Sequence, residues 1–334
     1  MAVLVGIDEA GYGPILGPLV VAAACFELPD NLLDNRCSLW QTLAASVTRR
    51  RAGAAGRLVI NDSKKLHRTG DYRTLQRGVL ATLLAAAANN QPDAPSQPAQ
   101  PPANLSELLT LLAAYEPTVL ADYPWYGRAA ADHPIAADRD DLQTVAADLA
   151  ADLAAHRMSA AGLSARVLPE GHFNRLVQAL DNKAAVLFHL VCRLIDAAFR
   201  RFPRRRLQVV VDKQSGRNHY RQPLQLMFPG LQMKILREDD LTSSYHLAGP
   251  AGALKIHFLQ KGEQRQLPIA LASMTAKYVR ELFMELLNAY FRRHLPDLSP
   301  TAGYYTDGAR FLADLHRRGI DRSLAPRDLL VRSR

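Results

Sequence analysis

Apolar residues run along this chain in two styles: short unbroken runs that stop at an acid, and longer stretches that repeat every three or four positions. Residues 3–7 form an unbroken β-rich run that gives way to Asp8 and Glu9. The turn-rich Gly11-Tyr12-Gly13-Pro14 and Gly17-Pro18 follow, then a second apolar run over 19–26. This pattern predicts two strands joined by a glycine-rich turn. Residues 207–211 repeat the first pattern and end at Asp212; their continuous apolar character is that of a strand buried on both faces. A further strand is expected over 254–259. Helical spacing appears in Tyr72, Leu75, Val79 and Leu83, with Thr69 or Asp71 as the cap, and again in Leu142, Val145, Leu149 and Leu153. Leu176, Leu180, Leu187, Val191 and Leu194 predict one longer helix. Met274, Tyr278, Leu282 and Leu286 predict another, opened by Ser273 after Pro268.

Between the first helix and the second lies 89–104, rich in Pro, Gln and Ala, with too few apolar side chains to offset the entropy of ordering it; a flexible linker is expected there. Charge divides the chain at the same place. Residues 1–88 carry a net +3, 89–160 a net −7 and 161–334 a net +13. A phosphate backbone is repelled by the middle and attracted by the flanks. Residues 105–160 therefore read as an acidic helical insertion, with deletion of 92–160 expected to leave the acids assembled, and 1–88 with 161–334 as the two parts of one α/β domain ending in a helical tail.

With 334 residues, 48% of them hydrophobic and 22% charged, the chain has ample length for a core and is not disordered throughout. Three cysteines without metal-ligand spacing argue against a disulfide framework or a zinc site and fit a reducing, cytoplasmic setting. Two acids interrupt the N-terminal apolar run where a secretion signal would continue, and no apolar run approaches the roughly 20 residues that span a bilayer, so no membrane association is expected. A formal net charge of +9 favours an acidic partner such as nucleic acid without naming one.

The chemistry concentrates where strands end. An Asp-Glu pair is most often a solvated turn, but Asp8 and Glu9 directly follow an apolar strand and precede three glycines. Neighbouring strand residues point to opposite faces, so both acids can serve one site only if the strand bulges or ends near Ala10 and Gly11. Asp212 is likewise delivered at the C-terminal edge of a strand, the usual location of sites in α/β sheets. Carboxylates gathered without cations repel one another, so such a cluster calls for a divalent metal; oxygen ligands without His or Cys select Mg²⁺ or Mn²⁺. The spacing Gly11-x-Gly13-x-x-x-Gly17 is a poor dinucleotide cradle, because Pro18 and a strand follow it instead of a helix N-terminus.

Five segments together carry a family resemblance. Gly6-Ile7-Asp8-Glu9-Ala10-Gly11-Tyr12-Gly13-Pro14, Asn61-Asp62-Ser63-Lys64-Lys65-Leu66, Val210-Val211-Asp212, Lys261-Gly262-Glu263 with the following 270–277, and Gly303-Tyr304-Tyr305-Thr306 resemble, in order, the conserved blocks of type 2 ribonucleases H, the HII and HIII enzymes. The resemblance spans about 3–88 and 172–315 and leaves the acidic insertion without a counterpart. It implies a ribonuclease H-like mixed five-stranded sheet flanked by helices. It also implies that Asp8, Glu9, Asp212 and Glu263 are the catalytic and metal-binding acids. Gly11, Tyr12, Gly13, Lys64 and Tyr304 would contact substrate, an RNA/DNA hybrid or a ribonucleotide-containing duplex. Glu263 in place of an Asp is similar to the HIII pattern, whereas Tyr12 departs from the Arg that HII members carry between the two glycines.

The resemblance further implies a monomeric, Mg²⁺- or Mn²⁺-dependent endoribonuclease with a two-metal site, leaving 5′-phosphate and 3′-hydroxyl ends. A nucleic-acid-binding protein of this fold with weak or lost cleavage, docking a partner through the insertion, is the alternative, and a related nuclease acting on DNA or structured RNA is a third. Lys64 and Lys65 either hold phosphates or stay solvated behind a helix opened by Asp62 and Ser63; Lys277 either bridges carboxylates or meets phosphate. Tyr304 either packs on a sugar or belongs to the core. Glu281 stands where HII members place an Asp that orients neighbouring groups, and the long interval from Asp212 to Glu263 implies inserted loops.

Overall fold

A computed structural model describes residues 1–34, 38–67, 70–89, 99–114, 117–214, 217–320, 324 and 326–333. Its strands are β1 (Ala2–Ala10), β2 (Leu19–Leu28), β3 (Val47–Thr48), β4 (Leu58–Val59), β5 (Ser159–Leu168), β6 (Arg206–Asp212), β7 (Gln232–Glu238), β8 (Thr242–Gly249) and β9 (Gly252–Leu259). Seven of them form one mixed sheet in the order β5-β2-β1-β6-β9-β8-β7, while β3 and β4 pair separately. β1 runs antiparallel to β2 and parallel to β6, and β6 runs parallel to β9. A mixed five-stranded sheet is thus present as β5-β2-β1-β6-β9, and the antiparallel pair β7-β8 extends its β9 edge to seven strands. That pair occupies the interval between Asp212 and Glu263, where the sequence suggests only loops. Most of β7 is exposed, so it lacks the apolar signal that marks the central strands.

Period-two alternation explains how the sheet carries two cores. Val3, Val5, Ile7, Val209 and Val211 pack on one face with Phe188, Val191 and Ile195 of the helix Lys183–Arg201. Leu4, Ala22, Ala24 and Val210 belong to the other face, with Leu271, Met274 and Tyr278 of the helix Leu267–His294. Each buried aliphatic side chain stabilises by about 1.5–3 kcal/mol. The two layers thereby fix β1 and β6 as the rigid centre of the molecule. Gly6 is required by this packing, since a Cβ there would overlap the backbone of Pro268. The start of the long helix is thus pressed onto β1 two residues before Asp8.

The expected helices are found, with two corrections. Arg73–Asn89 and Arg139–Ala155 form, and Asp71 accepts a hydrogen bond from the Arg73 amide at 3.1 Å. The single helix expected through Leu176–Leu194 is two, Glu170–Leu180 and Lys183–Arg201. Asp181 takes a left-handed conformation, φ +47°, and the Asn182 side chain accepts from the amides of Ala184 and Ala185, so a stop and a cap fall in one break. The last long helix begins at Leu267, six residues before Ser273, with Pro268 in its first turn. The linker expected at 89–104 lies mostly at 90–98, outside the described residues; Asn89 closes a helix and 99–104 is irregular.

The acidic segment is continuous with the main core. Leu105 and Leu108 of the helix Leu105–Leu111, then Trp125, Tyr126, Leu142 and Leu149, share one buried cluster with the helix Leu267–His294. Trp125 lies 5.9 Å from Phe291 and Tyr126 4.8 Å from Phe283, ring centre to ring centre. Residues 159–160, taken from sequence as the end of the insertion, are the first of β5, an edge strand of the sheet. The segment's helices thus pack on the core that carries the helix Leu267–His294.

Candidate active site

Strand register brings the acids together. Ile7 stands beside Val211 in the parallel pairing of β1 with β6, so Asp8 and Asp212 leave the sheet side by side. Asp212 pairs with Leu259 at the end of β9. Two residues later Lys261, at φ +53°, turns the chain into the short helix Gly262–Arg265 that carries Glu263. The Gly262 amide donates to Asp212 Oδ1 at 2.7 Å, tying that helix to β6. No bulge separates Asp8 from Glu9: β1 stays in register with β2 through Ala10 and ends at Gly11, φ +88°.

Asp8, Glu9 and Asp212 feel one another's negative charge and that of Glu263. Asp8 is held well above the usual carboxylate range, first by burial and then by Glu9, with Glu263 adding to the effect and Ser273 opposing it. Glu9 is raised to about 7 by burial and by Asp212, against the pull of Lys64. Asp212 is raised to about 8 by burial, Asp8 and Glu263. Each group is penalised by desolvation and by like charge, the two conditions a divalent cation relieves. The donor set fits a hard cation, being oxygen only. Among the described residues, no three His, Cys, Asp or Glu side chains stand arranged as a finished metal cage. Asp8 accepts from the Glu9 amide at 2.8 Å, while Asp212 is engaged by Gly262.

Beside the acids runs an open groove of about 430 Å³ lined by Glu9, Gly11, Tyr12, Gly13, Ser63, Lys64, His67, Lys277, Arg280 and Tyr304 among others. All five residues expected to contact substrate therefore meet at one surface next to Glu9. Asp62 does open a helix, its side chain accepting from the Lys64 amide at 2.9 Å, yet Lys64 still projects into the groove. The same segment reaches toward the acids, because Ser63 Oγ and Ser273 Oγ are 2.9 Å apart and Ser273 lowers the Asp8 pKa. Tyr304 is 54% exposed, which rules out the core reading. The Tyr12 ring lies 4.8 Å from the Lys183 ammonium. Lys277 pairs with Glu281. Burial pushes the Glu281 carboxyl up, but His67 and Lys277 outweigh it and hold it at about 2.

Sequence reasoning missed the groups beneath the glycine loop. Arg280 and Arg332, 1% and 2% exposed, turn the loop's carbonyls inward. Arg332 donates to the Gly11 carbonyl and, at 2.9 Å, to that of Tyr12; Arg280 donates to the carbonyls of Leu16 and Ala302 at 3.2 and 3.0 Å. Glu170 accepts from the Gly17 amide at 3.0 Å and from the Tyr126 hydroxyl at 2.9 Å. With its carbonyls bound inside, the loop is held at a fixed height in the groove wall. A Cβ on Gly11 would stand 2.6 Å from Arg280 Nε, whereas one on Gly13 would meet nothing within 4 Å. Arg280 carried a signal, a cation on the apolar face of a helix between Val279 and Leu282; Arg332, in the tail, carried none.

The chain matches solved ribonuclease HII and HIII structures over nearly its whole length. It is similar to an RNase HII from Archaeoglobus fulgidus, solved in complex with PCNA, at 16% identity, covering 99% of this chain and 94% of that one with a TM-score of 0.45. A Bst-RNase HIII structure with Mn²⁺ aligns at 16% identity over 99% of this chain and 66% of that one, TM-score 0.46. Ribonuclease H2 from Pyrococcus horikoshii OT3 aligns at 12% identity over 98% and 96%, TM-score 0.41. No family model matches the chain, and no curated protein does either. Among the described residues, no helix is long and apolar enough to cross a membrane.

Proposed function

We propose that this protein is a divalent-metal-dependent endonuclease of the type 2 ribonuclease H kind, cutting the RNA strand of RNA/DNA hybrids to leave 5′-phosphate and 3′-hydroxyl ends. The observation that carries this reading is the gathering of Asp8, buried, and Glu9, Asp212 and Glu263, partly buried, at one end of the sheet, where they feel one another's negative charge beside a groove walled by glycine backbone and cations. Those four carboxylates would hold Mg²⁺ or Mn²⁺, which when bound polarises the scissile phosphate and lowers the pKa of water. Lys64 supplies a positive charge next to Glu9 for the substrate's phosphates. Gly11 and Gly13 let backbone approach a 2′-hydroxyl, the group that separates RNA from DNA. Tyr304 offers an exposed ring face to a sugar, with Arg280 5.9 Å beneath it.

The test is incubation of purified protein and Mn²⁺ with an end-labelled RNA/DNA hybrid and, in parallel, an all-DNA duplex. Cleavage confined to the RNA strand and lost in Asp8→Asn is expected. Tight hybrid binding with no cleavage under Mg²⁺ or Mn²⁺ would instead assign the chain as a binding protein, and cutting of the DNA duplex would assign a different nuclease.

A further inference from the structure

The sheet continues past the acids as an open face that the proposed active site does not use. Strand register lays the side chains of this side of the sheet in rows. Gln208, Lys255, His246 and Lys234 pair in succession across β6, β9, β8 and β7. Two positions nearer the acids the row reads Val210, His257, Ser244, Arg237, and the next begins with Asp212 itself. At about 3.3 Å per residue, the basic row lies roughly 13 Å from Asp212 on the same face. Lys255, Lys234 and Arg237 are exposed, Arg237 being paired with Asp239, while Val210 and Ser244 are buried; neither of the first two rows contains an acid. Two hollows of about 370 and 430 Å³ meet at Gln208; Arg237 and His257 line one, Lys255 and Arg206 the other.

We propose that this face carries the phosphate backbone of the duplex flanking the cleavage site. The inference rests on the proposed function and names a second contact for its substrate. Charge selects a polyanion, and continuity with Asp212 selects the nucleic acid already bound there. The two rows hold no Phe, Tyr or Trp on which unpaired bases would stack, which favours a duplex gripped by its phosphates over a single strand. The long interval between Asp212 and Glu263 then has a purpose, because it supplies β7 and β8 and with them half of this surface.

The experiment is binding without divalent metal, by fluorescence anisotropy, of a 24-base-pair hybrid and of an 8-base-pair hybrid from about 50 to 300 mM KCl. The wild-type chain is compared with the double variant Lys234→Ala/Lys255→Ala and with Arg193→Ala on the helix that covers the opposite face. On the long hybrid, the double variant should flatten the slope of log affinity against log salt by about 2, a loss of tens of fold near 0.1 M. The short hybrid should change less than about twofold, and Arg193→Ala should match wild type. An unchanged slope, or an equal loss on both hybrids, overturns the face alone. An unchanged slope accompanied by lost self-association would give the face to a second copy and overturn the proposal as well. A wild-type chain that binds neither hybrid here and cuts neither under Mn²⁺ removes the proposed function and the face with it, whereas one that cuts under Mn²⁺ yet binds neither here overturns the face alone.

Discussion

Arg332 is the residue on which the buried support of the glycine loop is most directly tested. Its guanidinium donates to the Gly11 and Tyr12 carbonyls, lies 4.3 Å from the Phe173 ring centre and brings positive charge toward buried Glu170. Arg332→Met keeps most of the volume and removes the donors and the charge. A buried carbonyl left without a donor costs about 1–3 kcal/mol, and removing one partner from a buried charged network costs about 3–5 kcal/mol. Two carbonyls and one carboxyl lose support here, so a loss near ~4 kcal/mol is expected. Desolvation already draws the Arg332 pKa down to about 10, and that burial cost, recovered in the variant, keeps the estimate toward the lower end of the sum. For a chain this long, each kcal/mol lowers Tm by roughly 2 °C, giving a drop of about 8 °C. Thermal unfolding followed by circular dichroism reads it, with exposed Arg327→Met in the same tail as control. If Arg332→Met melts within about 1 °C of wild type, the tail does not anchor the loop.

Three further outcomes follow from the packing and the charges. Gly6→Ala places a Cβ onto the backbone of Pro268, which cannot rotate away, so it should cost several kcal/mol, on the order of an overpacked core site or more, and appear as a large fall in the urea midpoint. Tyr126→Phe deletes the hydroxyl donated to Glu170 and should cost about 1–2 kcal/mol in the same assay; no change would show that the acidic segment does not brace the loop. Glu281, held at about 2 in the fold against an ordinary 4.5, contributes stability that is complete above the unfolded value and is lost as pH falls from there toward 2. Glu281→Gln should therefore flatten the acid limb of the stability curve, and an acid limb identical to wild type would refute its pairing with His67 and Lys277.

The central strands and the acids they deliver were legible because burial on both faces writes a continuous apolar run, and β1 and β6 each end that run on a carboxylate. Glu263 was not readable from periodicity. Its position depends on a left-handed residue at Lys261 and a four-residue helix, and only the resemblance pointed to it. β7 escaped because it is the edge strand and mostly exposed, and β8 because only Tyr245 and Leu247 mark its buried face while Ser, Thr and His fill much of the rest. In the acidic segment net charge describes the solvent side, whereas Trp125, Tyr126 and Leu142 turn inward. Arg332 and Glu170 act through contacts 320 and 153 positions away along the chain, to Tyr12 and Gly17, a relation no local pattern records.

The most direct test of the central claim, that Asp8, Glu9, Asp212 and Glu263 form one divalent-cation site, is a Mn²⁺ titration of thermal stability. The wild-type chain should gain Tm with Mn²⁺ toward about 3 kcal/mol of stabilisation at a hundredfold excess over the dissociation constant. Asp212→Asn should lose that gain and, relieved of like charge, melt above wild type in the absence of metal. An equal Mn²⁺ response in the two proteins, or none in wild type, would contradict the account.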